Sequence, residues 1–355
     1  CKLHDEYDGG CSMRSSMAIL CAVLIPTGQG ERPRAIPKLP VFEGSGISLS
    51  AEQLAALGRG EPVVQMLNPK DGRVVAAFGI VAIKGTRQAF ANGLTDFPHA
   101  LRAQGIQKFG IFEVPTTSAN VGSVAIDASD AAALRKCRTG KCEFKLPASE
   151  MARAKALLGG ADGADGAARL AAYARRRVAQ YVTGYRARGN AAMAVYDDFG
   201  RGGVRASDAF AALLAASSYL KENAPALQRY LERVPRGQPR DIKEIIYWSD
   251  ETFKGLRPTV TINHLVLWSP PGKAAMTVAV TKQIYSDHYF EGMLDERFIV
   301  DRHGAPGGDG IYLMLLRQYR FDNLPGGILN IRGRARTAMQ DRMVAELRGE
   351  QAAAR

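Results

Sequence analysis

Four segments toward the end of the chain combine β-branched and aromatic residues over lengths that suit long strands. They are residues 259–268, 275–285, 290–301 and 311–321. Short connections separate them, one at Pro270-Pro271-Gly272 and another at 303–310. Because consecutive strands joined by short turns usually pair with one another, this spacing predicts an antiparallel meander. The meander is the strongest constraint that the sequence places on the fold.

Strand and helix patterns also flank the meander. Residues 73–83 form a β-rich apolar run, 86–94 have helical character and 106–114 return to strand character, which predicts strand, helix and strand. After the meander, residues 330–347 form a predicted closing helix. Its apolar residues recur at four-residue steps, at Ile331, Ala335, Met339, Met343 and Leu347. This face must pack on other apolar surface.

The chain between these two parts has a helical period. Apolar and aromatic residues mark one face of a long predicted helix, at Leu170, Tyr173, Val178, Tyr181, Val182 and Tyr185. Two further helices are predicted, one at 207–220 with Ser207 as its cap and one at 225–234 with Pro225 in its first turn. The glycine-rich stretch 159–166 predicts a hinge between helices.

The phrase Leu94-Thr95-Asp96-Phe97, placed after the first strand and helix, resembles the helix-grip fold of START-type lipid-binding and polyketide-cyclase-like domains. The resemblance covers about residues 73–116 and 259–347. It implies an α+β fold in which a curved antiparallel sheet wraps around a C-terminal helix and encloses a cavity, with the helical block as a large insertion. The alternative is an α+β fold of another kind, with separate helical and sheet domains.

A second resemblance rests on three short motifs. The chain contains Cys-x4-Cys at 137–142, Tyr-Trp-Ser at 247–249 and Lys-Gln-x-Tyr-x-x-His-Tyr-Phe at 282–290. This combination is similar to a group of exported bacterial proteins that have no established activity. It supplies no catalytic residues.

Residues 13–30 have the pattern of a secretory signal peptide. Arg14 follows Met13, an apolar run extends over 17–25, and the small residues Gly28 and Gly30 suit a cleavage site. We therefore expect a periplasmic or secreted protein that begins near residue 31. The alternative is a buried apolar segment of a cytosolic protein.

The predicted elements divide the chain into seven segments, of which three form the folded domain. They are an upstream extension at 1–12, a signal peptide at 13–30, a linker at 31–47, the N-terminal part of the α+β domain at 48–126, a helical insertion at 127–240, the meander with its closing helix at 241–348, and a tail at 349–355.

Cys137 and Cys142 are the cysteines that such a mature chain keeps. A Thr-Gly turn lies between them, and in an oxidising compartment this arrangement predicts a local disulfide. Two free buried thiols, or metal or redox chemistry, are the alternatives. No histidine lies nearby in sequence and Cys-x-x-Cys-His is absent, so no metal or cofactor is predicted.

The chain is basic, with a formal net charge of +12. In an exported protein this charge favours an anionic membrane surface or an acidic ligand over nucleic acid. Solvated arginine-rich helix faces explain the charge equally well. Apart from the signal, no apolar run reaches the ~18 residues of a membrane span, which predicts a soluble or peripheral protein.

Six residues in the densest polar and aromatic cluster are candidates for ligand binding. They are Trp248, His264, Lys282, Tyr285, His288 and Tyr289. If they converge on a cavity, their polar ends can hold the head of a ligand whose body lies among apolar residues. Regular strand alternation places Lys282 on one face and Tyr285 on the other. On its apolar strand face, His264 is more typical of a structural residue.

These observations favour a protein that binds a lipid or another apolar ligand in a START-like cavity. A non-catalytic envelope or interaction protein is the first alternative. An enzyme of hydrolase or cyclase type, using His288 with Tyr285, Lys282 or Asp287, is the second. The chain has no His-Glu-x-x-His, P-loop or Gly-x-Ser-x-Gly motif, so no catalytic residue is predicted.

Overall fold

The computed structural model describes residues 47–122, 126–159, 163–200, 202–252, 257–270, 276–304, 308–322 and 331–354. The upstream extension, the signal peptide and nearly all of the linker that the sequence predicts lie outside these residues. The described residues belong to one compact unit, Lys38–Arg355.

Most strands lie in the first and last parts of the described chain, and most helices lie between them. The described strands are β1 (Val63–Leu67), β2 (Val74–Ile83), β3 (Lys108–Ile111), β4 (Val195–Tyr196), β5 (Val204–Arg205), β6 (Ile242–Glu251), β7 (Thr259–Trp268), β8 (Met276–Ser286), β9 (Phe290–Arg302) and β10 (Gly310–Phe321). The described helices are α1 (Ala51–Gly58), α2 (Arg87–Thr95), α3 (Phe97–Ala103), α4 (Ala128–Lys136), α5 (Ala148–Leu158), α6 (Gly163–Arg188), α7 (Ala206–Ala216), α8 (Ser218–Asn223), α9 (Pro225–Arg233) and α10 (Ile331–Ala353).

Eight of the strands form one antiparallel sheet in the order β1-β2-β10-β9-β8-β7-β6-β3. β2 pairs with β10 along its whole length, with Val74 opposite Arg320 and Ile83 opposite Ile311. This pair joins the N-terminal part of the chain to the meander in a single sheet. The prediction of an α+β fold with a large antiparallel sheet and a C-terminal helix is therefore confirmed.

The sheet is wider than the sequence predicts. β6 contains the Tyr-Trp-Ser motif and extends the meander by one strand, and β1 adds an edge strand beside β2. The second and third residues of β6, Lys243 and Glu244, are both exposed, so the start of this strand lacks a regular alternation of apolar and polar residues. β3 has four residues, so the strand predicted at 106–114 is too long.

Helices cover both faces of the sheet, which explains the unbroken apolar sequence of β2. All ten residues of this strand are buried. Phe78 belongs to a core covered by α1 and α6–α9, which we call the insertion face, whereas Val81 belongs to a core covered by α2, α3 and α10, which we call the α10 face. A strand that is buried on both faces needs no alternation with polar residues.

The predicted apolar stripe of the closing helix packs on the α10 face at Gly79. A Cβ atom at Gly79 would lie 2.7 Å from Sδ of Met343 and 2.9 Å from Cδ1 of Leu347. Both of these α10 residues are fully buried. The helix also continues into the segment 349–355, which the sequence assigns to a tail. There Nε2 of Gln351 donates to backbone oxygens at the end of β2 and after α1.

Buried ion pairs lie between α10 and the sheet. Arg317 on β10 donates from Nη1 to Oε2 of Glu346 at 2.8 Å and from Nε to Oδ2 of Asp295 at 3.2 Å. Arg297 on β9 donates to Oε1 of Glu350 at 3.0 Å and also to Glu346. Burial opposes the charge of Glu346, but Arg317 and Arg297 outweigh it and lower its pKa to about 2. These groups occupy space in which the helix-grip resemblance implies a cavity.

The helical insertion contributes α4–α9 and the short hairpin of β4 and β5. The helix predicted at 207–220 is two helices, because the chain turns at Ser217, whose Oγ accepts from N of Leu220 at 3.4 Å. Ser207 does not cap α7, which begins at Ala206. α9 begins at Pro225 as predicted. None of the described helices combines the length and the apolar character that a membrane crossing requires.

Substitution of Gly79 tests the contact between α10 and the sheet. We expect Gly79→Ala to lower the free energy of unfolding by about 1–3 kcal/mol in urea denaturation, because the added Cβ overlaps Met343 and Leu347. Gly93→Ala is the control, since a Cβ there meets no atom within 4 Å. In the exposed interior of α2 it should stabilise by up to about 1 kcal/mol. Equal changes in the free energy of unfolding for both variants would contradict the close packing of α10 on Gly79.

Glu296 on β9 is a buried carboxyl group on the insertion face. Oγ of Ser217 donates to its Oε2 at 2.7 Å, and no described group bonds its Oε1. Burial raises the pKa of Glu296 to about 8. The folded protein therefore favours the protonated carboxyl at pH values where the unfolded chain ionises.

The stability that comes from protonated Glu296 is complete below about pH 4.5 and is lost as the pH rises through about 8. We expect this group to lower the free energy of unfolding by roughly 3–5 kcal/mol across that window. Glu296→Gln should therefore gain stability over the unmodified protein at pH 8.5 but not at pH 4.5. Urea denaturation at both values measures the difference, and an equal gain at both would refute the assignment.

Candidate functional site

A cavity of about 850 Å³ lies between the first helices of the insertion and one end of the sheet. α4, α5 and α6 form one wall, and the adjoining ends of β7 and β8, with the turn after β8, form the other. Leu134, Met151 and Leu170 belong to a separate small core that holds the three helices together. The helical wall is thus supported by its own packing.

Apolar and aromatic side chains predominate on the cavity surface. They include Leu134, Phe144, Leu170, Tyr173, Val178, Tyr181, Ile262 and Tyr285. The rings of Tyr181 and Tyr285 meet edge to face, with centroids 5.9 Å apart. Their hydroxyl groups donate to the backbone oxygens of Ile284 and Lys145. Because those hydroxyl groups are already bonded, the rings are the surface that these tyrosines offer to a ligand.

A β-bulge brings Tyr285 to this cavity. The pairing of β7 with β8 shifts at Ile262, so that Ile284 is an extra residue on β8. Tyr285 and Lys282 consequently both contact α6, Tyr285 through the ring of Tyr181. The predicted placement of Lys282 and Tyr285 on opposite faces is wrong, because a bulge interrupts the two-residue period of a strand.

The segment between α4 and α5 joins the helical wall to the sheet. Cys137 and Cys142 form the predicted disulfide in this segment. The backbone N of Lys145 donates to the carbonyl oxygen of Asp287 at 2.7 Å. The ammonium group of Lys145 is buried and lies 3.1 Å from Oδ2 of Asp198. These contacts hold the wall against the turn between β8 and β9.

Asp287 is a carboxyl group in that turn, and it lines the cavity. Its Oδ1 accepts from the backbone N of Val260 at 2.9 Å, and it forms no ion pair with a described residue. Burial raises the pKa of Asp287 well above its usual range, and the nearby charges of Asp130 and Asp250 raise it further. The carboxyl therefore keeps its proton more readily than an exposed aspartate does.

His288 follows Asp287 and also lines the cavity. Its Nδ1 lies 2.7 Å from the carbonyl oxygen of Glu143. Because a carbonyl can only accept, Nδ1 carries the proton and Nε2 is left as an acceptor. Burial lowers the pKa of His288, so the neutral ring is favoured at pH 7.

Ion pairs engage two arginines that line the cavity. The guanidinium of Arg257 lies 3.8 Å from Oδ1 of Asp130 and 3.4 Å from Oε2 of Glu143. Nη2 of Arg177 donates to Oε1 of Glu150 at 2.7 Å. Such partly exposed pairs add little stability, but they neutralise both arginines.

The structure brings two of the six predicted ligand-binding residues to the cavity, Tyr285 and His288. Trp248 is buried elsewhere on the insertion face, where its Nε1 donates to a backbone carbonyl at 2.8 Å. The hydroxyl of Tyr289 accepts from the backbone N of Arg257 at 3.0 Å. Neither Trp248 nor Tyr289 is among the described lining residues.

The other two predicted residues, His264 and Lys282, form a buried chain of hydrogen bonds with Tyr185. Nζ of Lys282 donates to the Tyr185 hydroxyl at 3.1 Å, and this hydroxyl lies 2.9 Å from Nδ1 of His264. Nε2 of His264 lies 3.1 Å from Oε2 of Glu244. Burial lowers the pKa of Lys282 well below its usual value and also lowers that of His264. Because these polar groups bond one another, this row of hydrogen bonds links α6 to the sheet. It leaves no group free to bind a ligand.

Ser286 and His288 do not form a nucleophile–base pair. Oγ of Ser286 donates to the backbone oxygen of His288 at 2.7 Å and not to its ring. No group of histidine, cysteine, aspartate and glutamate in the described ranges could hold a metal ion. The arrangement provides an apolar cavity with a few polar groups, which suits binding.

Some residues that line the cavity belong to the apolar stripe that the sequence predicts on α6. Tyr173, Val178 and Tyr181 belong to this stripe and line the cavity. A stripe of this kind has the same composition whether it packs on a neighbour or borders a cavity, so the pattern cannot distinguish the two. The sequence named Asp287 only as a possible partner of His288 in the enzyme alternative and did not predict it as a ligand-binding residue.

Comparison of the chain with known protein families, with curated proteins and with solved structures gave no significant match in any of the three.

Substitution of Tyr185 tests the buried chain. We expect Tyr185→Phe to lower the free energy of unfolding by about 1–3 kcal/mol, because Lys282 and His264 lose their common partner in a buried place. Tyr173→Phe is the control. It removes a partly exposed hydrogen bond to Glu150 and should cost less than about 1 kcal/mol. Urea denaturation compares the two variants. Similar small losses in both would show that the buried hydrogen bonds of Tyr185 do not contribute to the free energy of unfolding.

Proposed function

We propose that the protein is an exported binding protein that holds a lipid or another apolar ligand between α4–α6 and the end of the sheet. The observation that carries this proposal is the cavity of about 850 Å³ with predominantly apolar and aromatic walls. Small-molecule sites typically have volumes of about 300–1,000 Å³ and combine such walls with a few polar groups. Asp287 and His288 are polar groups of this kind.

The order of the elements supports a relationship to the helix-grip domains. β2, the helices α2 and α3, β3, the meander and α10 follow one another as that resemblance implies, with α4–α9 inserted after β3. The position of the cavity differs, because ion pairs of Arg297 and Arg317 occupy space under α10. In this proposal the insertion supplies the ligand site on the opposite face of the sheet.

Export is part of the same proposal. The pattern at 13–30 supports a signal peptide. The Cys137–Cys142 disulfide is consistent with an oxidising compartment. The net charge of +12 supports contact with an anionic membrane surface, from which an apolar ligand could be taken.

Filling the cavity tests the function. Ala174 on α6 lines the cavity, so we expect Ala174→Phe to occupy ligand space and weaken binding by tenfold or more. Fluorescence titration with N-phenyl-1-naphthylamine, a neutral apolar probe, measures the affinity. Native mass spectrometry of protein purified from its host should show a retained apolar ligand that is reduced in this variant.

Ala168→Phe is the matched control for this experiment. Ala168 lies on the same helix, but it is exposed and is not among the described lining residues. Its affinity for the probe should be unchanged. Equal affinities of the two variants, or the absence of probe binding to the unmodified protein, would contradict the proposed function.

A further inference from the structure

We infer that the ligand of this cavity carries a cationic amine head group, which Asp287 and His288 hold while the apolar tail lies between α6 and the sheet. The inference rests on the proposed function and adds the chemical class of the ligand's polar end. Its basis is the balance of charges, acceptors and aromatic rings around the cavity.

Carboxyl groups outnumber guanidinium groups on the cavity surface. The acidic lining residues are Asp127, Asp130, Glu150, Asp250 and Asp287, whereas the basic ones are Arg177, Arg188 and Arg257. The whole chain has a net charge of +12. The lining residues thus differ in sign from the protein as a whole once Asp287 is ionised, although Lys108 already pairs with Asp250, and such a surface attracts a cation.

Existing ion pairs engage two of the three arginines that line the cavity, so an anionic head group would find both of them occupied. Arg177 already pairs with Glu150, and Arg257 lies beside Asp130 and Glu143. An anion would have to compete with these carboxylates. Arg188 is exposed near the end of α6. Asp287, in contrast, has no cationic partner among the described residues, so a ligand cation would supply one.

Asp287 and His288 both present acceptors to the cavity. The Asp287 carboxyl receives one backbone hydrogen bond, at Oδ1 from Val260. His288 is 4 % exposed, and its ring donates from Nδ1 to the carbonyl oxygen of Glu143, which leaves Nε2 as an acceptor with no described partner. Two adjacent acceptors match the N–H donors of a protonated amine. A carboxylate or phosphate head group also consists of acceptors, so it would form no hydrogen bond with these two groups.

Aromatic rings surround the same place. Phe144 packs on His288 with ring centroids 4.6 Å apart, and Tyr285 lines the cavity beside Tyr181. Ring faces attract cations, including quaternary ammonium groups that have no N–H donor. An alkyl chain attached to the cation can lie along the aliphatic residues of α6, such as Val178. Rings and carboxyl together therefore fit an amphiphilic amine.

The charge of Asp287 also gives the site a pH dependence. The charged groups that face the Asp287–His288 turn are Asp130 on α4, Asp250 on β6, Glu143 in the α4–α5 segment and Arg257 before β7. Burial raises the pKa of Asp287 well above its usual range. A permanent cation binds best once Asp287 has lost its proton, so its affinity should rise with pH. Burial lowers the pKa of His288, which favours its neutral ring as the pH rises.

Displacement of N-phenyl-1-naphthylamine by three amphiphiles of equal chain length tests the inference. We expect decyltrimethylammonium to bind at least tenfold more tightly than decanol or decyl sulfate at pH 8, and its affinity to increase between pH 6 and pH 9. Spermidine, an amine without an apolar tail, should displace the probe at least tenfold more weakly. Decyl sulfate binding tightest, equal affinities for all three amphiphiles, or spermidine binding as tightly as the alkylammonium ion would overturn the inference.

Asp287→Asn should abolish both the preference for decyltrimethylammonium over decanol and the pH dependence of alkylammonium binding. Asp208→Asn is the matched control, because Asp208 is exposed on α7 and is not among the described lining residues. If Asp287→Asn fails to fold, the pH series on the unmodified protein decides, and a flat alkylammonium affinity from pH 6 to pH 9 refutes the inference. Loss of all probe and amphiphile binding in the unmodified protein instead refutes the proposed function.

Discussion

The pairing of β2 with β10 is the interaction on which the arrangement of the chain depends. It connects a strand near the start of the described residues with the last strand of the meander, and so builds one sheet from two distant parts of the sequence. α2, α3 and α10 then cover one face. The insertion, which leaves the sheet after β3, covers the other face, because β2 is apolar and buried on both sides.

Buried charges are paired within the protein both under α10 and at Lys145 in the insertion, whereas Asp287 beside the cavity has no ion pair with a described residue. Under α10, the guanidinium groups of Arg297 and Arg317 meet carboxylates such as Glu346, so buried charges are neutralised within the protein and the space is occupied. On the insertion face, Asp287 borders a cavity without a cationic partner among the described residues. A half-buried carboxyl in that position either keeps its proton or gains a cation from outside.

The cavity exists because the insertion packs on the sheet with only part of its length. α7, α8 and α9 join the main core of the insertion face, whereas α4 and α5 form a small core with the start of α6. The segment with the Cys137–Cys142 disulfide ties this small core to the β8–β9 turn through Lys145. The helical wall is thus held at the sheet by a few directional contacts, with open space beside them.

The sequence alone determined the meander, the apolar strand at Val74–Ile83, the stripe of the closing helix and the paired cysteines, because each depends on local period or spacing. It also marked Tyr285 and His288. Only the tertiary structure decided that these two meet Tyr181 and Asp287 at a cavity, while His264 and Lys282 close on Tyr185. A bulge at Ile284 and contacts between segments far apart in the chain make that choice, and neither leaves a local pattern in the sequence.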